Sequence, residues 1–457
     1  MMGILDTVDI RVDPVDGLVR NRRAIRLEEG LEMVVSQTDK PQADTDKTIR
    51  TPIGPGGLGR TLIGAEEIEA VTELLREPDK LFRYRGNEPT QCSLLEQEIE
   101  AVTGIKHALF VNSGTSALTC CLVGWGIGPG DEVIVPAYTY IATATAVINA
   151  GAVPVIAEID ESLGLCPLDV RRKLTPLTKA IIPVHMQGVP ARMDDLRQIA
   201  QAHQLILIED ACQAIGSTYR GDWSGAKSHA AAWSLNYFKV ITCGEGGVFL
   251  TQDDTAFLRG VYLSDPGSPM WDSPLKGDLH VPPFSRACYR GNEISAAIAR
   301  VQLGKMDTIL RHCRNLKRQL LQALAEPIHY KRQLVDDPSG DCGISFAMIA
   351  ESADAARRMS EKLLADGLEI GTAYNDGFPD RHIYTYWDSI LNKRGTNARH
   401  YPWGDPGYRG VISYAQDMCP QTLDILGRCL RLSIHLNMNE QNIREIAAAI
   451  NKADRTL

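Results

Sequence analysis

Leu205-Ile206-Leu207-Ile208-Glu209-Asp210 is the stretch on which the fold turns: four apolar residues running straight into two carboxylates. A short unbroken apolar run reads as a strand buried on both faces, because a strand with one wet face would alternate. The same pattern recurs upstream. Strands are expected at His107 to Val111, Glu132 to Val135, Val153 to Ile159 and Ala180 to Val184. Helices are expected between them: from Thr115, from about Thr139 to Ala150, near Leu168 to Leu174, and from about Met193 to His203. This alternation predicts an α/β fold whose mostly parallel sheet is covered by helices on both faces.

Outward from that core, Ile68, Val71, Leu74 and Leu75 give helical spacing over Ala65 to Arg76. A long helical stretch from about Ser295 through Leu324 leads into a region of short strands and helices, including Ala353 to Leu364 and Glu440 to Ile450. The expected organisation is an N-terminal extension over 1–55, a large domain over 56–310 and a smaller C-terminal α/β domain over 311–457. The extension is poor in apolar periodicity and ends in the loop Gly54-Pro55-Gly56-Gly57, as an arm or partly disordered segment would.

Composition narrows the function classes. A chain of 457 residues can bury a large core, and 44% hydrophobic with 23% charged residues is ordinary for a soluble protein. A net charge of -9 argues against a nucleic-acid footprint, which needs a basic surface. No basic segment leads into an apolar one at the N-terminus, and no apolar stretch approaches the roughly 20 residues of a spanning helix. The 11 cysteines show neither a Cys-x-x-Cys pair nor a cysteine–histidine cluster at zinc spacing, so no metal is expected. Reduced thiols and a cytoplasmic location follow as expectations.

Chemistry should gather at the carboxyl ends of the strands. Asn112-Ser113-Gly114-Thr115-Ser116 joins a strand to a helix, so it offers backbone N–H groups, a positive dipole end and two hydroxyls to a phosphate. Ser and Thr at a helix start are ordinarily plain caps. Asp210 leaves a buried strand and must be paired or solvated there. Lys239 follows Trp233-Ser234-Leu235-Asn236-Tyr237-Phe238 and precedes Thr242-Cys243-Gly244-Glu245-Gly246-Gly247. A lysine in a loop is ordinarily a surface charge, but this one stands between aromatic and apolar neighbours beside glycines that permit close backbone approach. A lysine that bonds an aldehyde, a serine that binds its phosphate and an aspartate that pairs with a ring nitrogen would together hold pyridoxal 5'-phosphate. Tyr140 could stack on the flat ring.

Taken in order, Asn112-Ser113-Gly114-Thr115-Ser116-Ala117-Leu118, Gly128 through Pro136, Glu209-Asp210-Ala211-Cys212-Gln213-Ala214 and Ser234 through Gly247 resemble the DegT/StrS sugar and cyclitol aminotransferases. These are fold-type-I pyridoxal-phosphate enzymes, and the resemblance runs from about Arg83 onward, weakening after Asp307. It implies Lys239 as the cofactor-bonding lysine and proton shuttle, and Asp210 as the partner of the ring nitrogen. It further implies Gln213 beside the ring's phenolic oxygen, Tyr140 in the stacking position, and Thr115, Ser116 and Ser234 as phosphate contacts. Family members are homodimers with sites at the subunit interface. Where the family often carries Asn-Tyr-Arg-Met-(Ser/Thr)-Glu, with an asparagine that reaches the neighbour's phosphate, this chain reads Cys288-Tyr289-Arg290-Gly291-Asn292-Glu293.

The implied reaction moves an amino group from glutamate or glutamine to a keto-sugar or keto-cyclitol. A sugar dehydratase and a non-catalytic homologue are the alternatives. Family dehydratases tend to carry histidine at the position of Lys239, which favours transamination. His185, Gln187, Arg290, His382 and Tyr384 are candidates for the substrate pocket, with His185 and Arg290 put forward as substrate contacts.

Overall fold

A computed structural model describes residues 47–85, 88–268, 281–284, 287–373 and 379–457. Seven strands form the main sheet: β1 (His107–Val111), β2 (Glu132–Pro136), β3 (Val153–Ala157), β4 (Thr178–Ile181), β5 (Ile206–Asp210), β6 (Ala230–Ser234) and β7 (Gly247–Thr251). Their order is β1-β7-β6-β5-β4-β2-β3, and every strand but β7 points the same way. β1, β2 and β3 are buried along their whole length, as their continuous apolar runs require.

Helices Gly114–Gly124, Ala142–Ala150, Pro167–Lys173 and Met193–Ala202 fill the connections. The first is sheathed by protein on every side: ten of its eleven residues are buried. The expected strand Ala180 to Val184 begins two residues earlier, at Thr178, and its regular pairing ends at Ile181, with an isolated bridge from Val184 to Asp210 beyond it. The helix expected from Thr139 begins at Ala142, because Thr139 and Tyr140 are tied into the turn that leaves β2.

The helix Glu293–Ala323 leaves the main sheet and runs unbroken through the expected boundary at 310. Beyond it lies an antiparallel sheet of β8 (Tyr330–Arg332), β9 (Ser345–Ala350), β10 (Gly371–Thr372) and β11 (Cys429–Ser433), in the order β8-β9-β11-β10. Helices Ala353–Ala365 and Glu440–Arg455 bury their apolar stripes against it.

Of the N-terminal extension, residues 1–46 lie outside the described residues. The rest is docked. Ile49 and Ile53 pack into the small-sheet core, and the Arg50 and Thr51 N–H groups donate to Glu445 Oε2 at 2.9 and 2.8 Å. The described part of the chain lies within one compact unit. Among the described residues no helix is long and apolar enough to cross a membrane, and all 11 cysteines are unpaired.

Candidate active site

Six strands pointing one way place their carboxyl ends on one edge of the sheet, where a cleft of about 740 Å³ opens. The ends of four of these strands supply much of its wall. Beyond β1, Ser113 caps the helix Gly114–Gly124, its Oγ accepting the Ser116 N–H at 3.1 Å. Ser113, Gly114 and Thr115 line the cleft, and the N–H groups of a first helical turn have no partner within the helix. Beyond β2, Thr139, Tyr140 and Thr143 line it; Asp210 ends β5 and Ser234 ends β6.

Gly114 explains how the helix start and β6 come so close. A Cβ there would stand 2.7 Å from Ser234 Cβ and 3.0 Å from Cys212 Sγ. Only glycine lets the helix start and the Ser234 side chain share one corner.

Asp210 is almost fully buried, 4% exposed. Its Oδ2 accepts the Thr143 hydroxyl at 2.7 Å and its Oδ1 the Cys212 N–H at 3.1 Å. Both donors are neutral, and among the described residues the carboxylate makes no ion pair. A buried carboxylate so placed favours a cationic N–H entering from the cleft. Lys239 lies in the turn after β6, half-buried, its backbone N–H donating to Asn236 O at 3.0 Å. That turn is closed by Cys243 N–H to Leu235 O at 3.0 Å and by Asn236 Nδ2 to Glu245 Oε1 at 2.9 Å. Cys212 feels both charges: burial and then Asp210 push its thiol well up, while Lys239 opposes them.

Lys239, Asp210, Thr115, Tyr140, Gln213 and Ser234 all line this cleft, as do Gln187 and His382. Gln213 Oε1 accepts the Gln187 N–H at 3.3 Å, and Gln187 holds a left-handed backbone with φ of 52°. A left-handed glutamine is uncommon and is held here by Ser345 Oγ, which donates to its carbonyl at 2.8 Å. Tyr140 is 57% exposed, free to meet a flat ring.

Three expected contacts stand elsewhere. The Ser116 hydroxyl is turned away to Asn112 Oδ1 at 2.6 Å and is spent on capping the turn. His185 is wholly buried behind β5, with Nδ1 accepting the Ala191 N–H at 3.0 Å and Nε2 against Glu209 Oε2 at 2.8 Å. Arg290 bridges β1 at Val111 and stands 3.6 Å from Asp265, outside the cleft. Tyr384 is also buried, its hydroxyl donating to Gln416 O at 2.6 Å.

Other wall residues escaped the sequence reading. Gly56, Gly57, Leu58 and Arg60 line the cleft from the N-terminal side, and Ser345, Ser433 and His435 from the small sheet. The Arg60 guanidinium lies over the Tyr237 and Phe238 rings, 4.9 and 5.6 Å from their centroids. The turn residues Gly54 to Gly57 were the one local signal, since glycines allow close approach to a cavity. His435 and Ser433 carried none.

A helix start for a phosphate, a carboxylate for a ring nitrogen and a lysine beside both fit pyridoxal 5'-phosphate. Relatives agree. GDP-perosamine synthase of Caulobacter vibrioides is 43% identical over 210 residues, 45% of this chain and 54% of that protein, so the match spans about half the relative's length. The structure of S. venezuelae DesV in complex with a ketimine intermediate superposes with a TM-score of 0.69 at 29% identity, covering 88% of this chain and 98% of that one. Helicobacter pylori PseC, an aminotransferase of pseudoaminic acid biosynthesis, shares the fold with a TM-score of 0.67 at 20% identity, covering 89% and 100%. The DegT/DnrJ/EryC1/StrS aminotransferase family model matches residues 61–399, and with the cleft built as described the chain belongs to that family.

Proposed function

We propose that the protein transfers an amino group from glutamate or glutamine to a keto-sugar or keto-cyclitol, with pyridoxal 5'-phosphate held in the cleft. The convergence of Lys239, Asp210 and the Gly114 helix start in one cavity carries this reading. When bound, the cofactor supplies the carbonyl carbon that receives the amino group and a ring that draws off electrons.

The protein's own residues do the rest. Asp210, held by Thr143 and the Cys212 N–H, keeps the ring nitrogen protonated. The first turn after Ser113, with the Thr115 and Ser234 hydroxyls, takes the phosphate. Tyr140 covers the ring and Gln213 stands beside its phenolic oxygen. Lys239 Nζ would anchor the cofactor and, once freed, carry the proton from the donor's Cα to the cofactor's C4′ carbon. The working form is a homodimer: Tyr237 and Phe238 are 48% and 72% exposed beside the cleft, as residues covered by a second copy would be. Cys288 is exposed and stands where a family asparagine would reach across.

Borohydride reduction of the cofactor-loaded protein followed by peptide mapping should place the adduct on Lys239. Incubation with glutamate and candidate keto-sugars should consume donor and acceptor one for one, and Lys239→Ala should abolish this. An adduct elsewhere, or turnover without donor consumption, overturns the proposal; the latter would favour a dehydratase.

A further inference from the structure

His382 lines the cleft, and its ring centroid lies 6.0 Å from that of Tyr140. Its orientation is fixed from behind. Nδ1 lies 2.6 Å from Asp380 Oδ1, which also accepts the His382 backbone N–H at 3.1 Å. A carboxylate can only accept here, so Nδ1 carries the ring's proton and Nε2 is the nitrogen left for whatever enters the cleft.

Asp380 is fixed in turn. Its Oδ2 accepts the Tyr138 hydroxyl at 2.7 Å and pairs with Arg431 Nη2 at 2.7 Å, while the Arg431 guanidinium lies 5.7 Å from the Tyr138 ring centroid. Burial alone would raise the Asp380 carboxyl, but His382, Arg431 and Tyr138 hold it well below the ordinary carboxylate range. Three parts of the chain meet in this cluster: the turn after β2, β11 of the small sheet and the segment at 380–382. Two backbone bonds lace the outer two together, Thr139 N–H to His382 O at 3.0 Å and Tyr384 N–H to Ala137 O at 2.9 Å. A carboxylate, an arginine and a tyrosine spent on aiming one imidazole is more than packing needs.

We propose that His382, oriented by Asp380, is a second acid–base group of the cleft and acts on the acceptor's carbonyl oxygen. The inference rests on the aminotransferase reading above. When the acceptor's ketone exchanges oxygen for nitrogen, a C–N bond forms and the C–O bond breaks. The two protons that the incoming amine nitrogen sheds end on the oxygen, which leaves as water. His382 Nε2 takes a proton from the nitrogen and delivers it to the oxygen, and the ring ends as it began. Lys239 attends to the carbon-bound proton, so two proton tasks fall to two groups. His382 is thus the catalytic residue, and Asp380 a positioning residue acting through it.

Two measurements test this, and the first needs no turnover. In cofactor-free protein carrying ¹⁵N-histidine, the His382 signals, assigned with His382→Gln, should show a protonated Nδ1 and a bare Nε2. Asp380→Asn should redistribute that tautomer. The second separates the half-reactions in the loaded enzyme. His382→Gln should slow the acceptor half-reaction about a hundredfold relative to the donor half-reaction. Asp380→Asn should do the same more weakly, and Asp380→Glu should recover part of the loss. Equal slowing of both half-reactions, no change in either, or a wild-type ring protonated on Nε2 would overturn the inference. A wild type that runs neither half-reaction would instead overturn the aminotransferase reading itself.

Discussion

Glu209 and Asp210 are adjacent on β5 and both are buried, yet they face different worlds. Strand alternation sends their side chains to opposite sides of the sheet. Glu209 is sealed: His185 Nε2 at 2.8 Å, the Ser228 hydroxyl and, more distantly, Arg197 Nη2 at 3.7 Å surround it. Burial works to raise the Glu209 carboxyl, but His185, Ser228 and Arg197 outweigh it and hold it below its ordinary value. Asp210 has only neutral partners and an open front. A carboxylate with every lone pair satisfied belongs to the scaffold; one with a side left open to a cavity is set for a ligand. The pair separates stability from chemistry within two residues, and substitutions on each side can break that separation.

The largest effect should come from Asp210→Asn. The amide keeps the shape but cannot hold a ring nitrogen in its charged form, so turnover should fall roughly a thousandfold. The urea midpoint should shift little, because the amide oxygen still accepts the Cys212 N–H and the amide N–H can donate to the Thr143 hydroxyl, which turns to accept it. Steady-state assays beside urea melts check both halves. A variant that unfolds easily but turns over normally once folded would invert the comparison.

On the opposite face Glu209→Ala should cost about 3 kcal/mol of stability, since it strands the His185 N–H in the interior and removes a partner of the half-buried Arg197. Activity per folded molecule should change far less. The pH dependence has a definite sign. The folded carboxyl titrates below its ordinary value of 4.5, so its contribution is fully present above that value. It is lost as pH falls through the lower, folded value. Urea melts of wild type and Glu209→Gln between neutral and acid pH should converge at the acid end.

The same pair shows what a sequence discloses. The run Leu205 to Ile208 made the strand legible, and strand-end chemistry made Asp210 legible, because both signals are local. His185 was misplaced for a tertiary reason: a histidine after a strand looks like a pocket residue until Glu209 is seen behind the sheet to receive it. β6 and β7 went unread. Ala230-Ala231-Ala232 has helical rather than strand propensity, and β7 follows directly on a glycine run. Burial between β5 and β7 imposes the extended form. Arg60 and His435 reach the cleft from opposite ends of the chain, and no local pattern joins them.

Gly114→Ala probes the cleft side by shape rather than charge. The added Cβ would meet Ser234 and Cys212 at 2.7 and 3.0 Å, so Ser234 or the helix start must move. Overpacking of this kind costs about 1–3 kcal/mol. Cofactor affinity, read by titrating the apo-protein, should fall about tenfold while the fold survives. Unchanged affinity would mean that the phosphate does not sit in that corner.

Thr143→Val is the finest test, because it leaves the carboxylate in place and removes one of its two neutral donors. The hydroxyl is buried, 1% exposed, and lies in a short chain: Thr139 Oγ1 is 2.8 Å from Thr143 Oγ1, which donates to Asp210 Oδ2 at 2.7 Å. Without that donor the carboxylate is held only by the Cys212 N–H and would turn toward whatever cation the cleft contains. A hydrogen bond to a charged group contributes about 1.5–3 kcal/mol, most of it here to orientation. Turnover should therefore fall about tenfold, and cofactor binding should hold or strengthen slightly, since a carboxylate with one partner fewer pairs harder with the ring nitrogen. Pre-steady-state rates and cofactor titration on the same preparation separate these outcomes. If binding weakens in step with turnover, Thr143 acts by packing, and the division between the two faces of β5 is less clean than the geometry makes it.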